Sequence, residues 1–259
     1  MIVLGFDTAT AATVAGLRLA DGRTLERRDD PLPGAHPGHA TRLLDMARGL
    51  LEQAGIGWRT LDRIAVGVGP GTFTGLRVGI ATARGLAQSL DLELAGVSSL
   101  QALAVGAFAG EGAATQPAAT QGGDAAAEAA VDAVLAVIDA RRGEVFAAAY
   151  ARTAGPAPRE LSAPRALAPE RLADLLCRAP GDGERWLALG DGAVRYRGDV
   201  EAAGVTAPGD DSDLHSVSAA AVCALGLAAP AGPSALLPDY RRRPDAELAL
   251  ESAGAGGAA

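Results

Sequence analysis

Twice in this chain a short apolar run ends in an aspartate, turns, and is followed by a second extended run. Ile2–Phe6 leads into Asp7 and then, past a turn, into Thr13–Leu19; Val134–Asp139 turns at Arg141-Arg142-Gly143 into Glu144–Tyr150. Short apolar runs bounded by turn residues read as buried strands. The recurrence predicts an α/β fold built from a duplicated half. The 259 residues suffice for two lobes, each with its own core. That core must come from Ala, Val, Leu and Ile, because aromatic residues are only 3% of a chain that is 49% apolar.

Between the repeats the sequence alternates strands with helices. Asp21-Gly22 is a hairpin turn into a strand at Thr24–Arg28. A helix is expected over His39–Ala54, because Leu43, Leu44, Ala47, Leu50 and Leu51 recur at helical spacing and Gly55 follows as a stop. Ile64–Gly69 reads as a strand, Gly75–Leu90 as a helix apolar around most of its circumference, and Leu94–Val97 and Ser98–Ala107 as another strand and helix. Further on, helices are expected at Glu170–Ala179 and Ser218–Ala228, with a strand at Trp186–Gly190 between them. The division expected is a first lobe over 1–108, an Ala/Gly-rich flexible connection over 109–131, a second lobe over 132–240, and a tail over 241–259 without fixed structure. The helix at 218–228 is expected to pack back on the first lobe.

Composition narrows the chemistry. All 23 basic residues are arginine, so no lysine nucleophile or P-loop lysine exists. A formal charge of -8 argues against a freestanding nucleic-acid binder. Cys177 and Cys223 lie far apart in apolar contexts and read as buried thiols. No apolar run reaches the ~20 residues of a membrane span, and the N-terminus lacks a secretory pattern, so a cytoplasmic protein is expected.

The stretch Gly69-Pro70-Gly71-Thr72-Phe73-Thr74-Gly75 follows a strand and opens a helix. Backbone N–H groups in such a turn can cradle an anion, and a tight structural turn has the same composition. It carries neither the P-loop nor the dinucleotide fingerprint. Asp7, Asp139 and Asp191 each stand at a strand end, and with Gly69, Gly71 and Thr72 they form a candidate nucleotide cleft of the actin type. His36 and His39 straddle the start of a helix and suit loop and cap roles better than a metal pair; His215 is isolated. Arg241-Arg242-Arg243 is a short basic run, read either as a solvated tail or as a contact for phosphate or an acidic surface.

The segment Val66–Leu86, VGVGPGTFTGLRVGIATARGL, closely resembles the bacterial TsaB family, also called YeaZ. FDTAT at Phe6–Thr10, GVSSLQALA at Gly96–Ala104, DARRGEVFAAAY at Asp139–Tyr150 and PDYRRRPDAE at Pro238–Glu247 extend the resemblance over most of both lobes. The resemblance implies two tandem RNase H-like lobes in the actin/Hsp70-like (ASKHA) arrangement. It also implies a non-catalytic scaffold subunit that acts with the paralogue TsaD and the ATPase TsaE. Together these install N6-threonylcarbamoyladenosine beside the anticodon of ANN-reading tRNAs, with tRNA met only through the complex. TsaD-like relatives carry a His-x-x-x-His metal pair where this chain has Ser99 and Leu103, and leucine cannot ligate a metal. The family's dimer surface maps onto the helices carrying Leu43, Ala47, Leu50, Leu76, Gly79, Ile80, Ala83 and Leu86, for TsaD or for a homodimer. No cofactor is required on this reading, though ATP or ADP with magnesium is admitted. The competing reading is an independent ATPase or small-molecule kinase using Asp7, Gly71 and Asp191.

Overall fold

In the computed structural model, which describes residues 1–32, 34–109, 131–155, 157–176, 184–232 and 236–241, the chain builds two sheets with helices between and outside them. The first sheet contains β1 (Val3–Asp7), β2 (Thr13–Arg18), β3 (Thr24–Asp29), β4 (Arg63–Gly69) and β5 (Glu93–Ser98), in the order β3-β2-β1-β4-β5. The second contains β6 (Ala133–Arg141), β7 (Glu144–Ala151), β8 (Arg159–Leu167) and β9 (Trp186–Leu189), in the order β8-β7-β6-β9. Both start with an antiparallel three-strand meander whose first strand then pairs in parallel with a later one. Asp7 faces Val14 across its hairpin as Asp139 faces Val145. The duplication expected from the sequence is therefore present in strand order, direction and register.

The helices are α1 (His39–Ala54), α2 (Phe73–Leu90), α3 (Ser99–Ala109), α4 (Asp191–Arg195), α5 (Arg197–Ala202) and α6 (Ala219–Ala228). One face of the first sheet is covered by α1 and α2, with Leu4, Phe6, Leu17, Leu43, Leu50 and Ile80 in that core. Its other face meets α6 and α3, and α3 also contacts β6 and β7 of the second sheet, so one apolar cluster runs continuously between the lobes. The far face of the second sheet is closed by a 3-10 helix at Pro169–Leu175 together with α4 and α5.

The sequence reaches α6 last among the described helices, yet α6 lies in the centre, packed back on the first lobe as expected. Small residues allow it: a Cβ at Gly5 would stand 2.6 Å from Cys223 Sγ, and one at Gly226 would stand 2.2 Å from the Cβ of Ala65. Ser218 caps its N-terminus by accepting from Ala221 N–H. Its C-terminal carbonyls are met by the buried Arg63, whose Nη1 donates to Gly226, Leu227 and Ala229 at 3.0–3.3 Å while its Nε donates to Glu93. A cation at that end of a helix also complements the dipole. The thiol of Cys223 is wholly buried and pushed up to about 12, chiefly by desolvation; Cys177 lies outside the described residues.

Several expectations need correction. Glu170–Ala179 was expected as an α-helix; a 3-10 helix stands at Pro169–Leu175 instead, opened by Pro169 and burying Leu172 and Leu175. Residues three apart eclipse in that geometry and share one face. Strand β8 was not expected at all, because Glu160, Arg165 and Pro164 interrupt its apolar alternation, and it is an edge strand, where such residues belong. Helix α2 starts at Phe73, two residues earlier than expected. Most of the expected connection and tail lies outside the described residues.

The interface residues expected on α1 and α2 also move. Leu43, Ala47, Leu50, Leu76, Gly79, Ile80 and Ala83 are buried in the chain's own fold and Leu86 is half-buried, because the apolar stripe faces the sheet. What these helices present outward is Leu44, Asp45 and Arg48 from α1 and Thr74, Ala81 and Gly85 from α2. Ala83→Glu, which would place an unpaired carboxylate in this core, is thus expected to destabilise the fold by about 3 kcal/mol or more. Urea unfolding followed by circular dichroism measures this, and a near-native midpoint would restore Ala83 to the surface.

Candidate functional site

The residues singled out for a nucleotide cleft separate into two clusters, and each is closed by the chain itself. In the first, Asp7 ends β1 and is 1% exposed. Its carboxylate accepts from Ala9 N–H at 2.7 Å and from the Ser99 hydroxyl at 2.5 Å. It also packs on bare backbone, since a Cβ at Gly67 would collide with Asp7 Oδ2. Burial raises the Asp7 pKa, and the bonds from Ser99 and Ala9 oppose that shift in part.

The glycine-rich turn folds onto the same place. Thr72 N–H donates to Ala9 C=O at 2.8 Å, and the Thr8 hydroxyl donates to Gly75 C=O at 2.7 Å. A Cβ at Gly75 would come within 1.9 Å of the Thr8 carbonyl oxygen. Glycine is therefore required there for the approach of the β1–β2 turn. The amide of Thr72, which an anion cradle would use, is committed to Ala9. Gly69 adopts a left-handed φ of 102° that favours glycine, and Gly71 abuts Ala9.

The second cluster joins Asp139 and Asp191. Asp191 opens α4 and accepts from Asp139 N–H at 2.9 Å. Asp139 in turn holds Arg141 and Arg195, both at 3.3 Å from its Oδ2. Burial also raises Asp191, with the Asp139 charge adding to the rise and Arg141 opposing it. Asp7 bonds to Ala9 in the first lobe and to Ser99 of α3, whereas Asp139 and Asp191 bond within the second lobe. The structure thus does not bring the three aspartates into one hydrogen-bonded set.

Ser99 and Leu103 open α3. Ser99 is committed to Asp7, and Leu103 is 1% exposed in the core between the lobes, close to Gly190. Ser98 provides the cap instead, accepting weakly from Gln101 N–H at 3.4 Å. Among the described residues no group of three or more His, Cys, Asp or Glu stands where it could hold a metal ion. His39 is buried with Nδ1 2.8 Å from the Thr13 hydroxyl, while His36 is exposed, so the two do not form a pair. The basic run divides: Arg241 pairs with Asp239 at 2.6 Å and donates to Pro164 C=O, and Arg242 and Arg243 lie outside the described residues. Among the described residues no helix is long and apolar enough to cross a membrane.

Residues 33–176, more than half of the chain, match the family model described as TsaD: tRNA N6-adenosine threonylcarbamoyltransferase. The solved structure of YeaZ from Pseudomonas aeruginosa superposes with a TM-score of 0.64 at 32% identity, covering 86% of this chain and 89% of that one. The chain belongs to the TsaB/YeaZ family. Its fold is accordingly the two-lobed actin-like (ASKHA) α/β fold of that family. Among curated TsaB relatives, each named a tRNA threonylcarbamoyladenosine biosynthesis protein, the Escherichia coli protein is 36% identical over 59% of this chain and 56% of its own length. The Haemophilus influenzae protein is 36% identical over 42% of this chain and 44% of its own length. The matches to these curated TsaB relatives thus span about half of their length.

Sequence reasoning on this TsaB/YeaZ chain missed the exposed aromatics Phe73 and Tyr240, and it missed the bond from the Ser99 hydroxyl to Asp7. The only sequence signal for that bond is that both residues stand at strand–turn boundaries.

The state of Asp7 makes a pH prediction. A carboxyl whose folded pKa is raised favours the native state when protonated. That contribution is fully present below the unfolded value of 3.8 and is lost as pH rises through the raised folded pKa. Asp7→Asn removes the titration, so its unfolding midpoint is expected to lack this decline and to equal or exceed the wild type at pH 7. Urea midpoints measured across that range decide it; parallel profiles for the two proteins would show that Asp7 does not titrate in this way.

Proposed function

We propose that this chain is a non-catalytic subunit of tRNA threonylcarbamoyladenosine biosynthesis, which binds a TsaD-type partner through the outward faces of α1 and α2. One observation carries the reading. Where TsaD-like relatives carry a histidine pair, this chain has Ser99, bonded to Asp7, and Leu103, sunk in the interlobe core. The sealed glycine turn supports it as well, because its backbone is engaged by the neighbouring β1–β2 turn. TsaD is the direct partner on this reading, TsaE joins through the assembly, and no cofactor of the chain's own is needed.

The proposed docking face is built for close helix approach. Leu44 is 46% exposed on α1. On α2 a stripe of small and half-buried residues, Thr74, Val78, Thr82 and Gly85, faces outward, and a Cβ at Gly85 would meet nothing within 4 Å. A groove of about 530 Å³ lined by Trp58, Leu86 and Leu90 continues the face beyond Gly85. Bare Gly and Ala positions let another helix approach, and the exposed Leu44 supplies an apolar anchor.

Gly85→Arg separates folding from assembly. The position is open and glycine is a poor helix residue, so the fold is expected to keep or gain up to about 1 kcal/mol. The arginine would nonetheless stand in the docking face and prevent co-elution with TsaD of the same organism. Size-exclusion chromatography with light scattering reads both states. Co-elution of Gly85→Arg at wild-type stoichiometry would remove this face from the interface. Failure of the wild type to bind TsaD, combined with stoichiometric ATP binding, would favour the independent ATPase or kinase.

A further inference from the structure

The segment Leu236–Arg241 runs along α2 from Arg84 back to Phe73. Asp239 N–H donates to Val68 C=O at 2.8 Å near the end of β4, and Arg84 Nη2 donates to Leu236 C=O at 3.2 Å. Arg77 Nε reaches the Tyr240 hydroxyl at 3.3 Å, and Arg241 Nη1 donates to Pro164 C=O on β8 at 2.7 Å. The segment therefore spans the rim between the two lobes. It fixes the Tyr240 ring 5.3 Å from the ring of Phe73, tilted by 36°, with the Arg77 guanidinium 3.5 Å over Phe73.

Both rings remain open to solvent, Phe73 at 43% and Tyr240 at 44%. In a chain with so few aromatic residues, two of them are held side by side and left exposed. Their surroundings are rich in arginine: Arg77, Arg84 and Arg241 stand around Asp239, with Glu160 on the neighbouring β8 beyond Arg241, although the chain as a whole carries -8. The sequence continues Arg242-Arg243 directly after the segment. Exposed aromatic faces combined with guanidinium groups are what unpaired nucleotides recognise, bases stacking on the rings while phosphates meet the cations.

We propose that the Phe73–Arg77–Tyr240 stack is a contact site for single-stranded RNA, with an unpaired base against the rings and its flanking phosphates against Arg77 and Arg241. The proposal rests on the functional reading above, since it assigns part of the RNA contact to this subunit. It lies on a different side of α2 from the docking face. Phe73, Arg77, Ala81 and Arg84 form the stripe that leans toward Leu236–Arg241, whereas Thr74, Val78 and Gly85 form the stripe facing away from it. Aromatic and arginine side chains also anchor protein interfaces. Here the cationic border favours a polyanion, and Leu237 is the exposed apolar neighbour in the segment.

The test is fluorescence anisotropy with a short labelled oligouridylate at low ionic strength, on the full chain alone and on its mixture with TsaD. Phe73→Ala and Tyr240→Ala are each expected to weaken binding about 5-fold or more. Arg77→Gln is expected to lower the slope of affinity against salt by about one. Leu44→Glu, on the docking face, should leave the affinity of the chain alone unchanged. Thermal melts confirm that each variant is folded. No binding by the wild type, or equal binding by Phe73→Ala and Tyr240→Ala, overturns the proposal. If Phe73→Ala instead abolishes co-elution with TsaD and leaves oligouridylate affinity intact, the patch is a protein anchor: the proposal fails and the functional reading stands. If the wild type fails to co-elute with TsaD while Phe73→Ala still weakens RNA binding, the stack stands and the functional reading fails.

Discussion

The packing of α6 between the two sheets is the contact on which the rest of the structure depends. Its residues follow both sheets in the chain, yet they close the core of the first lobe and pack on α3, which reaches the second sheet. The helix reaches that position because glycine and alanine replace bulk on both sides: Gly5 against Cys223, Gly16 against Ala219, Gly226 against Ala65. Close packing of this kind tolerates little added volume. Arg63 then satisfies the helix's last carbonyls from inside the sheet, so a buried cation is offset by Glu93 and three carbonyl acceptors. Without this helix the first sheet would lose most of the cover on that face, and α3, which reaches both sheets, would lose its packing partner.

The same economy of space governs the strand ends. An actin-like fold leaves a cleft where β1, β4 and their counterparts end, and in this chain that ground is filled on the first-lobe side. Thr8 and Ala9 press into the glycine turn, Ser99 holds Asp7, and Leu103 extends the apolar core toward Gly190. The second lobe closes its own end with the Asp139–Asp191 bond and two arginines. These carboxylates hold strand ends together, and burial raises the pKa of Asp7 and of Asp191. Both strand ends are thus held by the chain's own contacts, and the proposed function turns on the outer surface that α1 and α2 leave open.

That surface was the part least legible beforehand. The helical pattern of α1 and α2 was correct to within two residues, yet the apolar residues it marked proved to be the monomer's own core. An apolar stripe reports that a face is buried, and it says nothing about whether sheet or partner buries it. Leu44 stands in the same periodic set and is nonetheless exposed, and nothing in the pattern separates it, or the half-buried Val78 and Thr82, from the core residues. Phe73 and Tyr240 are far apart in the chain and meet only because the segment after α6 returns to β4.

The sequence by itself determined the α/β alternation, the duplicated strand–Asp–hairpin, the small-residue helix 218–228, and the family through its glycine turn. Each of these is a local pattern, readable from periodicity, turn chemistry or a contiguous motif. Tertiary structure alone decided that Asp7 is sealed by Ser99, that the glycines of the turn serve Thr8 and Ala9, and that β8 completes the second sheet despite Pro164. It also decided which side of each helix faces water. The physical reason is the same throughout: burial and close approach depend on neighbours distant in sequence, and a strand or helix pattern specifies the face but not what lies against it.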